Sequence, residues 1–175
     1  DEHREDIFKI ARFASTHDPA NLTSLEDYIA RMKPGQENIF YISGENVETL
    51  RNSPQLEGFR KRGLEVLLMT DTIDEFWLPV AMDYKTKKFA SVTKGAIDLS
   101  KFPALESADG KPAEPEHTEA EKKEFTTLLD FLKARFSDDV SDVRLSGRLT
   151  DSPVCLVASD KDIDLHMGRV LKIHQ

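Results

Sequence analysis

The fold is decided by residues 38–71, which read NIFYISGENVETLRNSPQLEGFRKRGLEVLLMTD. Apolar runs at residues 39–42 and 66–69 lie near its two ends, and helix start and stop signals lie between them. Ser53 can cap the second part of this helical segment, and Gly63 suits the left-handed conformation that ends a helix. The stretch therefore predicts a strand, a helical connection and a parallel strand, which together form a βαβ unit.

The composition of the chain excludes several classes of function. Charged residues make up 32% and hydrophobic residues 39% of the 175 positions, and the formal net charge is -8. This negative charge argues against non-specific nucleic-acid binding, because phosphate backbones attract basic surfaces. The apolar runs are far shorter than the roughly 20 residues that cross a bilayer, so no membrane partner is expected. Cys155 is the only cysteine, which excludes an internal disulfide and favours a reducing, cytoplasmic location.

Two helices are predicted before the βαβ unit. The first covers residues 1–14, and Thr23 with Glu26 forms a capping-box pattern ahead of the second, Leu25–Arg31. The expected apolar face of the first helix consists of Ile7, Ile10, Ala11 and Ala14. Because the chain begins inside a helix without an initiating Met, we expect residue 1 to be a cut point within a longer protein.

After the βαβ unit, the pattern predicts one more helix and one more strand. Asp74 can cap a helix of about two turns, and a charged turn at residues 84–88 precedes a strand at residues 89–92. The apolar positions of the helix are Phe76, Trp77, Val80 and Ala81. The expected result is a small three-layer βαβ domain, with helices against a mostly parallel three-stranded sheet.

A change of composition predicts a domain boundary. Glycine and proline interrupt residues 94–116, and residues 107–116 are expected to be flexible. We therefore expect a first domain at residues 1–99, a linker at 100–117 and a smaller α+β domain at 118–175. In this second domain the pattern predicts a long helix over residues 118–136, an antiparallel pair of strands near residues 140–145 and 153–158, and a terminal amphipathic helix from about Asp160. The fold class is α/β in the first domain and α+β overall.

The residues themselves indicate no catalytic, cofactor or metal site. Ser43 and Gly44 are followed by Glu45, so the first turn of the βαβ unit lacks the glycine spacing that surrounds a pyrophosphate. The five histidines show no metal-ligand spacing, and Cys155 lies in an apolar stretch that favours a buried thiol. A small α/β nucleotide-binding enzyme nevertheless stays the alternative, since the βαβ unit alone is typical of such proteins.

Two apolar features point to binding surfaces. Phe76 and Trp77 are adjacent on a helix, where consecutive side chains diverge by about 100°, so one of them should be exposed. The terminal helix carries an apolar stripe that is either core or an adaptable binding surface, and the pattern leaves both interpretations open. The members of this stripe are Ile163, Met167, Val170 and Leu171.

Three long blocks resemble the ninety-kilodalton heat-shock protein (heat shock protein 90) chaperone family, in particular its bacterial branch. The blocks are SLEDYIARMKPGQENIFYISGE at 24–45, LEGFRKRGLEVLLMTDTIDEF at 56–76 and VRLSGRLTDSPVCLVASD at 143–160. The resemblance implies a fragment that joins the distal part of the middle segment to the start of the C-terminal domain. It further implies an ATP- and magnesium-dependent homodimeric chaperone in full length, whose catalytic residues and main dimerisation helices lie outside this chain.

The resemblance also implies where non-native client proteins bind, with co-chaperones as further possible partners. In the family, clients contact aromatic residues at the end of the middle segment and an amphipathic helix of the C-terminal domain. The matching positions here are Phe76, Trp77, Ile163, Met167, Val170 and Leu171. The bacterial pattern tends toward two methionines and an aromatic residue on the amphipathic helix, whereas Ile163 and Leu171 replace two of these here.

Overall fold

The computed structural model of the chain describes residues 3–81, 83–95, 97–105, 119–159 and 163–173. Its helices are α1 (Arg4–Ile10), α2 (Leu25–Arg31), α3 (Val47–Arg51), α4 (Glu57–Lys61), α5 (Asp74–Ala81), α6 (Glu119–Arg135) and α7 (Leu165–Ile173), with a short 3-10 helix at Pro54–Leu56. Its strands are β1 (Ala14–Ser15), β2 (Asn38–Ser43), β3 (Leu67–Met69), β4 (Asp83–Tyr84) and β5 (Lys87–Ser91). No helix among the described residues has the length and apolar character needed to cross a membrane.

The predicted βαβ unit is confirmed. Strands β2 and β3 run parallel, with Tyr41 beside Leu67 in the ladder. The connection between them consists of α3, the short 3-10 helix and α4. The Oγ of Ser53 accepts a hydrogen bond from the backbone nitrogen of Gln55 at the start of the second helical part. Gly63 has φ +61°, the left-handed conformation that was expected where the connection ends.

Within the described ranges, the sheet has five strands rather than the predicted three. Their order is β1-β3-β2-β5-β4, with β2 parallel to both β3 and β5, and with β1 and β4 antiparallel to their neighbours. The three central strands are the predicted ones. Each edge strand has only two residues, which is too short for an alternating pattern to be recognised in the sequence. The architecture is thus mixed α/β, and the three-layer arrangement stays a prediction.

Both faces of the central strands carry buried apolar side chains. On β2, Phe40 belongs to one apolar cluster and the adjacent Ile39 to another, as expected for alternating side chains. The cluster around Phe40 includes Leu56 and Phe59 from the helical connection. The cluster around Ile39 includes Phe8, Leu25, Tyr28 and Leu78 from α1, α2 and α5. Helix α5 contributes Leu78 to this second cluster, which therefore holds α5 against the sheet.

The N-terminal helix is shorter than predicted, and its buried face was predicted wrongly. Helix α1 ends at Ile10, and Ala14 lies in β1 instead. Ile7 is 57% exposed and Ile10 is 76% exposed, whereas Phe8 is buried. Phe8 turns inward because its ring packs against other aromatic rings, and this removes more apolar area from water than the isoleucines would.

The second helix has the predicted bounds, Leu25–Arg31, but a different cap. The Oγ of Ser24 accepts a hydrogen bond from the backbone nitrogen of Asp27, 3.1 Å away. The capping residue is therefore Ser24, one position after the predicted Thr23, and the residue that it contacts is Asp27 rather than Glu26. Thr23 instead forms a β-bridge with Phe13, which keeps its backbone out of the helix.

The two strands predicted in the second half are wrong. Residues 119–159 contain no β-strand in the structure, and Ala158 forms only an isolated parallel bridge with Lys94. Backbone groups of the second predicted strand pair with the first half of the chain instead: the Nε2 of Gln55 donates to the carbonyl oxygen of Leu156, and the backbone nitrogen of Ala158 donates to the carbonyl oxygen of Thr93. Just before this stretch, Glu57 accepts hydrogen bonds from the backbone nitrogens of three consecutive residues, 150–152.

The helices of the second half are described only in part. Helix α6 lies within the predicted range, while Thr118 and the predicted linker at 107–116 lie outside the described residues. The terminal helix was predicted from about Asp160, but α7 begins at Leu165. Residues 160–162 lie outside the described residues.

Candidate binding surfaces

Helix α5 is anchored by a buried carboxylate at its first residue. Asp74 accepts a hydrogen bond from the backbone nitrogen of Asp71 at 3.1 Å and another from the Nε1 of Trp77 at 2.8 Å. Burial raises the pKa of the Asp74 carboxyl group above its ordinary value. The two hydrogen bonds fix the turn that leads into α5, and they hold the indole of Trp77 in one orientation.

Phe76 and Trp77 have different environments, as their adjacency required. Phe76 is 63% exposed, while Trp77 is partly buried. The ring centroid of Trp77 lies 5.6 Å from that of Phe8 and 5.5 Å from that of Phe89. The Trp77–Phe89 pair is edge-to-face, which is a favourable aromatic geometry. Phe76 is therefore the accessible aromatic residue of the pair, whereas Trp77 packs α5 against Phe8 of α1 and Phe89 of β5.

An apolar groove with a volume of about 600 Å³ lies between α1 and α5. Its lining includes the ring of Phe76 and the exposed aliphatic side chains of Ile7, Ile73 and Val80, which are 57%, 64% and 68% exposed. His3 and Arg4 also contribute to the lining. Such a grouping of exposed apolar side chains, on two helices and the turn before one of them, is typical of a surface that binds another polypeptide.

The sequence does not reveal that Ile7 and Ile73 belong to this groove. It predicts Ile7 only as part of the apolar face of the first helix, and it does not single out Ile73. One signal for an exposed apolar surface was available in the sequence: apolar residues occur on all sides of the short helix α5. They cannot all be buried, so some of them must face solvent. The sequence does not show that α1 lies beside this exposed side, because that depends on tertiary packing.

The second predicted surface begins just before α7. Ile163 is 57% exposed, and Met167 on α7 is partly buried. Val170 and Leu171 belong to α7, but their side chains lie outside the described part of the structure. Neither Ile163 nor Met167 lines the groove between α1 and α5. The structure thus brings Phe76 and Trp77 together at the groove and places Ile163 and Met167 outside it.

The loop after β2 has no features of a phosphate site. A Cβ at Gly44 would lie 2.6 Å from a methyl carbon of Leu50, so a side chain here would displace that of Leu50. The Oδ1 of Asn46 accepts the hydrogen bond of the Thr49 backbone nitrogen at 2.8 Å, which occupies a donor at the start of α3. The alternative of a nucleotide-binding enzyme therefore gains no support from the loop where a phosphate would bind.

The remaining reactive side chains do not form a recognisable centre. Within the described ranges, no three His, Cys, Asp or Glu side chains are grouped so that they could hold a metal ion. Cys155 is partly buried, and this burial raises the pKa of its thiol, which disfavours the nucleophilic thiolate. The features that stand out are therefore apolar surfaces.

Comparisons with known proteins assign the chain to a family. The sequence model described as Hsp90 protein matches residues 1–175. Chaperone protein HtpG of Paramagnetospirillum magneticum is 46% identical over 173 residues, which are 99% of this chain and 27% of that protein. The HtpG proteins of Roseobacter denitrificans and Wolbachia pipientis wMel are 44% and 43% identical, each over 98% of this chain and about a quarter of their own length. The chain spans about a quarter of these curated relatives, and it belongs to the Hsp90 protein family.

Proposed function

We propose that the chain is part of a molecular chaperone, and that the groove between α1 and α5 binds exposed apolar segments of non-native client proteins. The observation that carries this proposal is the cluster of exposed apolar side chains around Phe76. A protein that recognises many unfolded partners needs an accessible apolar surface with few directional polar groups, because unfolded chains share apolar residues rather than a common shape.

The exposed side of α7 is the second proposed client surface. Ile163 supplies an exposed aliphatic side chain, and Met167 supplies a flexible, polarizable one. Val170 and Leu171 complete the surface in this proposal, because their spacing places them near Met167 on the helix. Together with Phe76 and Trp77, these residues form the proposed client-binding set.

The proposal extends to the whole protein by family resemblance. The full-length protein would be a cytoplasmic homodimer that uses ATP and magnesium to bind and remodel clients, with catalytic residues outside this chain and co-chaperones as possible partners. The present chain would supply client-binding and interdomain surface without an ATP site. Its division into a first domain at 1–99, a linker at 100–117 and a second domain at 118–175 belongs to the same proposal.

Client binding can be tested with this chain and one unfolded polypeptide. Fluorescence anisotropy would measure the affinity for labelled, reduced and carboxymethylated α-lactalbumin. Phe76→Glu combined with Met167→Glu should weaken binding by about tenfold or more, since charges would replace apolar contacts at both surfaces. Leu22→Glu is the matched control, because Leu22 is also exposed, at 64%, but does not line the groove. Equal affinities of the double variant and the parent chain would refute the site assignment.

A further inference from the structure

We infer that Asp164 is a positioning residue that holds the start of α7 against the end of β5. Its two carboxylate oxygens have different partners. Oδ1 accepts a hydrogen bond from the backbone nitrogen of His166 at 3.1 Å, which caps the first turn of α7. Oδ2 accepts hydrogen bonds from the Oγ of Ser91 at 2.5 Å and from the Oγ1 of Thr93 at 2.6 Å. One side chain therefore joins the helix to the sheet.

The hydroxyl partners of Asp164 are well suited to this role. Ser91 and Thr93 are each 4% exposed, and their oxygens also lie 2.9 Å from each other. Hydrogen bonds from hydroxyl groups to a carboxylate are short and stronger than neutral ones. Without Asp164, one hydroxyl group could donate to the other, but the second O–H would lose its acceptor. A buried donor without a partner costs free energy, so moving Asp164 away from this pair is unfavourable. The start of α7 is thus held by a specific contact rather than by apolar packing alone.

The backbone of Ala158, six residues before Asp164 in the chain, is hydrogen-bonded to the turn that follows β5. The backbone nitrogen of Ala158 donates to the carbonyl oxygen of Thr93 at 2.9 Å, and the backbone nitrogen of Gly95 donates to the carbonyl oxygen of Ala158 at 3.1 Å. Ala158 therefore contacts the turn after β5 through both its backbone nitrogen and its carbonyl oxygen.

Strand β5 connects both proposed client surfaces. Phe89, which packs edge-on against Trp77, lies two residues before Ser91. Side chains two residues apart in a strand lie on the same face, about 7 Å apart along the strand. The aromatic contact under α5 and the hydroxyl contact of Asp164 are therefore neighbours on one face of β5.

This arrangement gives Asp164 a role in client binding, a step that rests on the proposed function. A client segment that contacts both surfaces binds more tightly when the spacing between them is fixed, because less conformational entropy of the chaperone is then lost on binding. Release of Asp164 would let α7 move relative to the groove. The groove itself would stay intact, because its contacts lie in α1 and α5.

The decisive variant removes the tether but keeps the helix cap. Ser91→Ala with Thr93→Val deletes both hydroxyl groups and leaves the Oδ1 contact of Asp164 with His166 in place. Ser137→Ala with Thr127→Val is the matched control, because both of these residues are exposed and lie outside the contact. Thr93→Val alone is nearly isosteric and serves as the milder variant if the double variant does not fold.

The first readout is the distance between the turn that precedes α5 and helix α7. Spin labels at Thr72→Cys and Arg169→Cys, in a Cys155→Ser background, report this distance by pulsed electron spin resonance; both sites are exposed. The parent and the control should give a narrow distribution, and the tether variant a broad one. Amide exchange of residues 165–173 should be about tenfold faster in the tether variant. A distribution that stays narrow, with unchanged exchange, overturns the inference.

The second readout separates this inference from the proposed function. Affinity for the carboxymethylated α-lactalbumin should fall about fivefold in the tether variant if α7 contributes through its fixed position. A broadened distance with unchanged affinity overturns the role of Asp164 in client binding but leaves its structural role supported. If the parent chain binds no client at all, the proposed function fails, whereas the distance measurement still decides whether Asp164 positions α7.

Discussion

The carboxylate of Glu57 accepts a hydrogen bond from the Oγ of Ser152, which lies 95 residues later in the chain. The backbone nitrogens of Thr150 and Asp151 donate to the same carboxylate at 2.7 and 3.0 Å. These hydrogen bonds, led by that of Ser152, lower the pKa of Glu57 from 4.5 to about 2. Glu57 thus joins the helical connection of the βαβ unit to the second half of the chain.

The first prediction concerns acid stability. Because the pKa of Glu57 is lower in the folded protein than its ordinary 4.5, its contribution to stability is complete above about pH 4.5 and is lost as the pH falls toward 2. Glu57→Gln should be less stable than the parent at pH 6, and the difference should shrink toward pH 3. Urea unfolding followed by circular dichroism at several pH values measures this. Glu48→Gln, at an exposed site, is the control. If the difference in unfolding free energy between the parent and Glu57→Gln did not change with pH, the prediction would be contradicted.

The second prediction separates the two aromatic residues of α5. Trp77→Ala removes contacts with three rings and should lower the free energy of unfolding by about 3 kcal/mol. Phe76→Ala should change it by less than about 0.5 kcal/mol, because Phe76 is mostly exposed. Chemical denaturation of both variants provides the comparison. Equal losses of stability would show that the environments assigned to Phe76 and Trp77 are wrong.

The third prediction tests a close approach between the two halves. A Cβ at Gly58 would lie 2.8 Å from the carbonyl oxygen and 2.9 Å from the Cα of Arg148, where backbone has to move. Gly58→Ala should therefore cost about 1–3 kcal/mol of stability. Gly168→Ala is the control, since nothing lies within 4 Å of its added Cβ. Gly168→Ala should raise the free energy of unfolding by about 0.5–1 kcal/mol, because alanine is favoured over glycine within a helix. If Gly58→Ala were also stabilising, the close approach to Arg148 would be disproved.

The fourth prediction concerns the turn between β4 and β5. Lys85 and Thr86 have φ values of 47° and 67°, in the left-handed region that a β-branched residue adopts at a cost. Thr86→Gly should raise the free energy of unfolding by up to about 1 kcal/mol, and the melting temperature should rise with it. Thr86→Ala keeps a Cβ and should give a smaller gain. If glycine proves no better than alanine, the left-handed conformation is not the source of the cost.

Local signals in the sequence were sufficient for the centre of the fold. Two apolar runs and the signals between them predicted β2 and β3, and Gly63 has the expected positive φ. The bounds of α2 were predicted correctly, although the cap was shifted by one residue. These features depend on residues close together in the chain, so local patterns contain most of the necessary information.

Non-local contacts explain what the sequence did not reveal. The burial of Phe8 instead of Ile7 depends on rings supplied by α5 and β5. In the second half, backbone groups of the second predicted strand pair with Gln55 and Thr93 of the first half rather than with a neighbouring strand. Helix geometry predicted that one of the adjacent residues Phe76 and Trp77 would be exposed, and the structure shows that it is Phe76. The remainder of the groove required knowing that α1 lies beside α5. Val170 and Leu171 stay predictions, because their side chains lie outside the described part of the chain.

The two-residue length of β1 and β4 has a consequence for solubility. An exposed sheet edge is a template onto which an unfolded chain can add as a further strand, and long, flat edges promote such aggregation. Here each outer strand offers only two residues of backbone, while the accessible apolar side chains lie on helices. A partner can therefore dock through side chains with little opportunity to extend the sheet, which favours reversible contact over fibrous growth.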